Sequence, residues 1–349
     1  MTQSPIHAAL IAEPSAAHVE LYLYSLARCE GVAGISVAGE TGLSSRQLKE
    51  SLRERFDQAV FYRGHAELLQ TGAPDFVLVT LEAHHSPEVI HEVLEAGCHV
   101  LAEKPACVRA EDFQPLVALA ASKNRHLMLS LAGRIVPPVL KAKELVEQGY
   151  LGKLYGIDVH FLADQSRLHS AEYQQSWFSF KDKAGGGHLI WLGIHFLDLI
   201  QFVTGQPIRR VSGFTENVGG SAIEVEDAVA LSLKLESGAV GTLQCGYYLD
   251  HGYQNQVRIW GSRGWLRFDR VKATPLEWYS TSPGAPSGVQ TFSYLLPAET
   301  GYRPWVQATI DAVRGLAPAP ISGSEGLQLL KTVFACYRAC ETGVSQALD

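Results

Sequence analysis

The sequence is short of the features that would place it in several broad classes. It has no dense run of lysine or arginine, and its formal net charge is -7, which argues against a nucleic-acid-binding surface. Its six cysteines stand at 29, 98, 107, 245, 336 and 340 and form no CxxC pair, so neither a disulfide framework nor a zinc or other metal site is indicated. Cys336 and Cys340 share a helix face and read as buried thiols. No basic segment precedes a long apolar run at the N-terminus, and no uninterrupted apolar span reaches transmembrane length. No membrane partner is expected, and the expected compartment is the cytoplasm. What remains is a globular composition, 46% hydrophobic and 19% charged, in 349 residues, enough for two domains with separate cores.

Up to about residue 130, short apolar stretches alternate with helical ones. Strands are expected at 8–12, 34–38, 60–62, 75–81, 100–101 and 126–130, with helices between them. Residues 75–81 are apolar almost throughout and do not alternate, as in a strand covered on both faces. This order predicts an α/β, Rossmann-type N-terminal domain with a parallel, doubly wound sheet over 1–130. Pro137-Pro138 then interrupts the chain, and 139–148 reads as an amphipathic helix. Beyond it, longer strands are expected at 154–161, 208–215, 228–236, 240–248, 256–260 and 265–269, with an apolar helix at 188–204. A Pro-, Gly- and Ser-rich loop at 280–288 and closing helices at 302–314 and 325–341 complete the chain. Residues 131–349 therefore read as an α+β C-terminal domain with a large, mostly antiparallel open sheet, whose last helix can pack back on the first domain.

Three stretches carry chemistry. Thr80-Leu-Glu-Ala-His-His85 and Glu103-Lys104-Pro105 both end buried strands, and strand tips of open α/β sheets are where ligands bind. Pro105 stops its strand because it cannot donate to a ladder. Lys104 is then placed to donate to a substrate oxygen, although a solvated Lys-Glu pair is the simpler alternative. In the third stretch, glycines 185–187 open a helix on which His188, Trp191, His195 and Asp198 recur at three or four residues. Several polar groups on one face of an apolar helix suggest a lined pocket.

These stretches, with Lys141-x-x-Glu-Leu-Val-x-x-Gly149, Val225-Glu-Asp227 and Ser324-Glu-Gly326, make the sequence similar nearly end to end to the Gfo/Idh/MocA oxidoreductases. The resemblance implies a dinucleotide-binding Rossmann domain and a C-terminal sheet domain for substrate binding and oligomerisation. It implies NAD or NADP as cofactor, hydride transfer to or from a sugar, cyclitol or related polyol carbon, and a homodimer or homotetramer. Lys104 would contact substrate and nicotinamide ribose, and His195 would be the acid/base. Arg134, His188, Trp191 and Asp198 would contact substrate. An ion pair is a rival role for Arg134 and Asp198, and capping is a rival role for His188 and His85. Of Tyr247 and Tyr248, which point to opposite sides of a strand, at most one lines the pocket.

Against that resemblance, the phosphate-binding turn has lost its glycines. The G-x-G-x-x-G/A register falls on Ala12-Glu13-Pro14-Ser15-Ala16-Ala17, so Pro14 lacks an N–H and Glu13 brings negative charge near a diphosphate. Gly39 stands where a ribose-binding acid is expected, with Glu40 next to it. Trp191 replaces a carboxylate often found four residues before the histidine, and Glu82 replaces the usual asparagine. The implied cofactor set is thus Ala12, Glu13, Pro14, Ser15, Glu40, Thr80, Glu82, His85, Glu103, Lys104 and Pro105. Two alternatives stay open: a non-redox sugar- or partner-binding protein or supporting subunit, and an enzyme recycling tightly bound NAD for glycoside cleavage or epimerisation.

Overall fold

The computed structural model describes residues 4–270, 275–295 and 302–348. They gather into two compact units. The first comprises Met1–Ala132, Asp182–Gly185 and Glu299–Leu330, and the second Gly133–Lys181, Gly186–Ala298 and Lys331–Asp349.

In the first unit, β1 (Ile6–Ala12), β2 (Val32–Ala38), β3 (Val60–Tyr62), β4 (Phe76–Thr80), β5 (His99–Ala102) and β6 (Leu127–Leu129) form a parallel sheet in the order β3-β2-β1-β4-β5-β6. Helices α1 (Val19–Leu26), α2 (Ser45–Leu52), α3 (His65–Thr71), α4 (Ser86–Glu95) and α5 (Ala110–Ser122) make the crossovers. Burial explains the pattern of residues. β4 is buried at all five positions and is apolar up to Thr80, whereas edge strand β3 exposes Val60 and Phe61. Ser44 and Gln47 cap the start of α2 reciprocally, which fixes where that helix begins. The helix Tyr302–Val313 packs on α1 and buries Trp305 completely. At the other edge, β6 is buried, and the start of the helix Gly323–Thr342 lies against it, with Gly323 near the Leu127 carbonyl and Gly326 against the Leu129 side chain.

In the second unit, α6 (Pro137–Glu147) starts on the two prolines rather than after them. Proline lacks only an N–H that the first turn leaves without an intrahelical partner, so the pair initiates the helix instead of interrupting the chain. β7 (Leu154–Asp164) follows, then the short helix α7 (Ala171–Gln175) and, after α8 (Lys181–Ala184), whose last three residues belong to the first unit, α9 (Ile194–Thr204). The remaining strands are β8 (Ile208–Glu216), β9 (Ala228–Leu235), β10 (Val240–Leu249), β11 (Gln254–Gly261), β12 (Gly264–Phe268), β13 (Leu276–Ser280), β14 (Gln290–Phe292) and β15 (Gln346–Ala347). The nine strands run β14-β13-β12-β11-β7-β10-β9-β8-β15, with β7 and β10 parallel and the other pairs antiparallel. β13, β14 and β15 extend the sheet beyond the strands expected from sequence; they are short, and 280–288 connects the first two. On β9, Leu231, Leu233 and Leu235 are buried while Ala230, Ser232 and Lys234 are exposed, so one sheet face is covered and the other open. The covered face receives α9 through Phe196, whose ring lies 4.6 Å from Phe161 on β7.

The apolar helix expected at 188–204 differs in one respect. Residues Leu189–Gly193 form a π-helical turn, and regular α-helix resumes at Ile194. The stretch Lys181–Thr204 has a window with the length and hydropathy of a membrane span, but 72% of that window is buried inside the protein, as in a core helix.

Candidate active site

In the first unit, Glu103 and Lys104 follow β5 directly and are 5% and 2% exposed, which removes the solvated surface pair as a description. Lys104 Nζ lies 3.7 Å from Glu103 Oε1. The other carboxylate oxygen accepts the Tyr22 hydroxyl and faces His18 Nδ1 at 3.5 Å. Tyr22 also lies 2.6 Å from Ser130 Oγ, and its ring meets Tyr302 edge-on at 5.3 Å. Burial pushes the Glu103 carboxyl up, but His18, Lys104 and the Tyr22 hydroxyl outweigh it and hold the pKa below the usual glutamate value. The ammonium at the strand tip is therefore set beside a fixed anion. Pro105, joined to Lys104 by a cis peptide, is buried as well.

In the same unit, a cleft of about 470 Å³ opens at the C-terminal ends of β1 and β2. Of the expected cofactor residues, Ala12, Glu13, Pro14, Glu40 and His85 line it. Glu88, Glu92, Arg63 and His65 add charge or titratable groups to its wall, so carboxylates predominate. Gly39 is required here: its φ is +85°, and a Cβ would come within 2.2 Å of the Ala12 carbonyl oxygen, so the neighbouring Glu40 is left to carry the acid. Glu13 crosses to the loop after β4, where it accepts the Glu82 N–H and faces His85 Nδ1 at 3.0 Å. Ser15 donates to Glu82 Oε1 at 2.7 Å. Thr80 is wholly buried and donates to the Ala17 carbonyl at 2.6 Å, so its hydroxyl ties the end of β4 to the segment before α1. Glu82, His84 and His85 also offer ligand-type atoms within 4.8 Å of one another, a grouping that sequence reading passed over.

The helical stretch that follows glycines 185–187 in the second unit begins on a buried acid. Glu226 accepts the Gly187 N–H at 2.7 Å and the Leu189 N–H at 2.9 Å, and Tyr337 donates to it at 2.8 Å while accepting the Ile190 N–H at 3.2 Å. These bonds satisfy donors that a helix start leaves open. Burial pushes the Glu226 carboxyl up against the opposing pull of those donors. Gly187 permits the arrangement, because a Cβ there would sit 2.1 Å from the Glu226 carbonyl oxygen. Asp227 accepts the Val218 and Gly219 N–H groups at 2.8 Å each. The Val225-Glu-Asp227 stretch thus acts as a cap supplied from another part of the chain. The wide turn after it changes the register of side chains, and such turns recur at functional sites.

The four helix residues consequently have different surroundings. His188 is wholly buried, makes no capping bond, and lies edge-on to Tyr247 at 4.6 Å. Among the described residues neither of its ring nitrogens has a hydrogen-bond partner. Burial, with a smaller contribution from Arg167, lowers its pKa to about 3, so the ring is neutral at physiological pH. Trp191 packs edge-on against Trp177 at 5.8 Å and Phe178 at 4.6 Å. His195 stands half-buried in the first turn of α9. Asp198 is bonded to Arg134, whose Nη2 donates at 2.7 Å and Nε at 3.0 and 3.1 Å. Both partners are buried, so these two expected substrate contacts engage each other. Tyr247 is buried, whereas Tyr248 is half-exposed with its hydroxyl 3.5 Å from the Cys245 carbonyl. Sequence reading quoted Glu226 within Val225-Glu-Asp227 without giving it a role, and it missed Tyr22, Tyr337 and Arg167, none of which lies in a short motif with His195 or Lys104.

Comparison with known proteins agrees with this architecture. Residues 36–131 match the model of an oxidoreductase family with an NAD-binding Rossmann fold, and residues 139–267 match the GFO/IDH/MocA C-terminal domain. The chain is 28% identical over 277 residues to dTDP-3,4-didehydro-2,6-dideoxy-alpha-D-glucose 3-reductase of Saccharopolyspora spinosa, covering 77% of this chain and 78% of that one. It is 24% identical over 302 residues to myo-inositol 2-dehydrogenase of Thermotoga maritima, covering 85% and 87%. The crystal structure of an oxidoreductase domain protein from Kribbella flavida superposes with a TM-score of 0.87 at 22% identity, covering 99% of this chain and all of that one.

Proposed function

The chain belongs to the Gfo/Idh/MocA family of NAD(P)-dependent oxidoreductases, and from that premise we propose a hydride transfer between nicotinamide and a sugar, cyclitol or related polyol carbon, with His195 as acid/base and Lys104 as the donor to the reacting oxygen. The observation that supports it most is the burial of Lys104 at a strand tip beside Glu103. An ammonium with no task would gain more from water than from that position.

The first-unit cleft fits the adenosine half of a dinucleotide. It lies at the C-terminal ends of β1 and β2, beside the β1/β4 boundary where strand order reverses, and Glu40 offers an acceptor for ribose hydroxyls, which favours NAD over NADP. Glu13 stands by the diphosphate turn, but its carboxylate is engaged by the Glu82 N–H and His85. Bound nicotinamide supplies the hydride acceptor or donor. Lys104 donates to the substrate hydroxyl oxygen and favours its alkoxide. A ring nitrogen of His195 takes the hydroxyl proton as the carbonyl forms and returns it in the reverse direction. Lysine and imidazole thus divide charge stabilisation from proton transfer.

The open sheet face, where Phe214 is 76% exposed, is the surface we assign to homodimer or homotetramer formation. Six free cysteines, five of them buried, suit the reducing cytoplasm.

Mass spectrometry of small molecules released from denatured protein, followed by titration of the nucleotide-free protein with NAD(H) and NADP(H), tests the reading. Saturable binding with redox turnover on a sugar or cyclitol is the expected result, abolished by Lys104→Met and by His195→Ala. Folded protein that binds neither nucleotide would overturn it in favour of a non-redox binding protein. Bound nucleotide recovered in stoichiometric amount without net NADH release would favour a recycling cofactor.

A further inference from the structure

The cations of the second unit are not all paired in the same way. Arg134 meets a carboxylate on two sides, but Arg167, in the turn Ser166–His169 after β7, meets none among the described residues. Its Nη2 donates to the Tyr253 hydroxyl at 3.3 Å, and its guanidinium carbon lies 5.6 Å from the centre of the Tyr247 ring. Tyr173 completes its electrostatic surroundings, and burial pushes the Tyr173 and Tyr247 hydroxyls further up from the usual phenol range. Asp164, three residues before it, accepts the Ser166 N–H at 2.7 Å, and Asp250 accepts from Gln165 at 2.9 Å.

A second polar group stands against the same Tyr247 ring. His188, on the opening turn of the helical stretch after glycines 185–187, is wholly buried there, with neither nitrogen hydrogen-bonded among the described residues. Native interiors rarely leave such groups unmet, and a guanidinium fork without a counter-ion matches the geometry of a carboxylate or phosphate. Tyr253, 39% exposed and stacked on Phe161 at 5.8 Å, sets a further donor at the mouth of the cluster.

We propose that Arg167 and Tyr253 form an anion subsite of the substrate face, so that the sugar or polyol bears a carboxylate or phosphate. This rests on the hydride-transfer reading for its sugar, but the anion preference is measurable by binding alone.

The test is calorimetric titration of the full chain, with and without NADH, using D-glucuronate, D-galacturonate, D-glucose 6-phosphate and the neutral sugars D-glucose and D-galactose. At least one acid is expected to bind roughly ten- to a hundredfold more tightly than its neutral counterpart, the range of a charge-assisted hydrogen-bonded contact. Uronates on one side and glucose 6-phosphate on the other distinguish carboxylate from phosphate. Arg167→Met should abolish the preference, Arg167→Lys keep part of it, and Tyr253→Phe, which retains the ring, weaken the acid several-fold. Equal binding of acids and neutral sugars, no saturable binding of any acid, or a preference that survives Arg167→Met overturns the subsite. Turnover of neutral sugars with NAD would then leave the parent reading standing, whereas acid binding without any nucleotide binding would retain the subsite and remove the dehydrogenase.

Discussion

Replacing His188 with leucine should flatten the acid side of the stability profile of the second unit. The native ring has its pKa lowered to about 3 by burial, whereas an unfolded histidine titrates near 6.5. Between these values the unfolded chain binds the proton and the folded chain does not, so stability falls as pH falls through the window. From pH 7 to pH 5 the difference integrates to about 2 kcal/mol, or roughly 4–8 °C in unfolding temperature for a domain of this size. Leucine is close in volume and does not titrate, so the variant should lose that much less than the native protein over the same interval. Tryptophan fluorescence during urea or thermal unfolding is a suitable assay, because every tryptophan except Trp305 belongs to the second unit. His99, lowered to about 4 chiefly by burial, titrates in the same sense but is common to both proteins and cancels in the difference. Equal losses in native and variant protein between pH 7 and pH 5 would show that His188 is protonated in the fold, and would refute its assignment as a neutral buried imidazole.

Three other substitutions have expected outcomes. Tyr22→Phe removes the hydroxyl that Glu103 accepts and should cost about 1–3 kcal/mol in urea unfolding, the penalty of a buried acceptor left short of a donor; a neutral result would mean that water or another side chain replaces it. Arg134→Ala strands Asp198 in the interior and should cost about 3–5 kcal/mol, while Arg134→Ala combined with Asp198→Ala should cost less than the sum of the two single changes. Glu13→Gln removes a negative charge from the wall of the cleft we assign to the nucleotide and should tighten NADH by about fivefold, or about 1 kcal/mol, in a fluorescence titration; weaker binding would show that the carboxylate supports the site.

Much of the fold was legible because strand burial in a parallel sheet writes itself as apolar runs. Residues 75–81 and 8–12 read as strands for that reason and are β4 and β1. The strand expected at 228–236 is β9, whose buried and exposed residues alternate. β13 and β14 were harder: β13 alternates over only five residues and β14 spans three, so neither produces a strong periodic signal. The π-turn at Leu189–Gly193 was also hidden, since its residues are equally compatible with an unbroken α-helix.

By itself the sequence determined the apolar periodicity, the glycines and prolines that end its elements, and the order of motifs that identifies the family. These are local properties, or properties of order along the chain. Only the tertiary structure decided how the polar groups are matched. Tyr22 reaches Glu103 across 81 residues, Glu13 reaches the Glu82 N–H across 69, Arg134 reaches Asp198 across 64, and Glu226 caps a helix that begins 37 residues earlier. The physical reason is that apolar burial is non-directional and requires only the right face, so a local pattern suffices to encode it. A buried charge or hydrogen-bonding group instead needs a particular atom at about 3 Å, and chain packing determines which residue supplies it. Arg167 remained indistinct in sequence for the same reason: its surroundings of Tyr173, Tyr247 and Tyr253 come together only when β7, β10 and the loop ahead of β11 are folded into one unit.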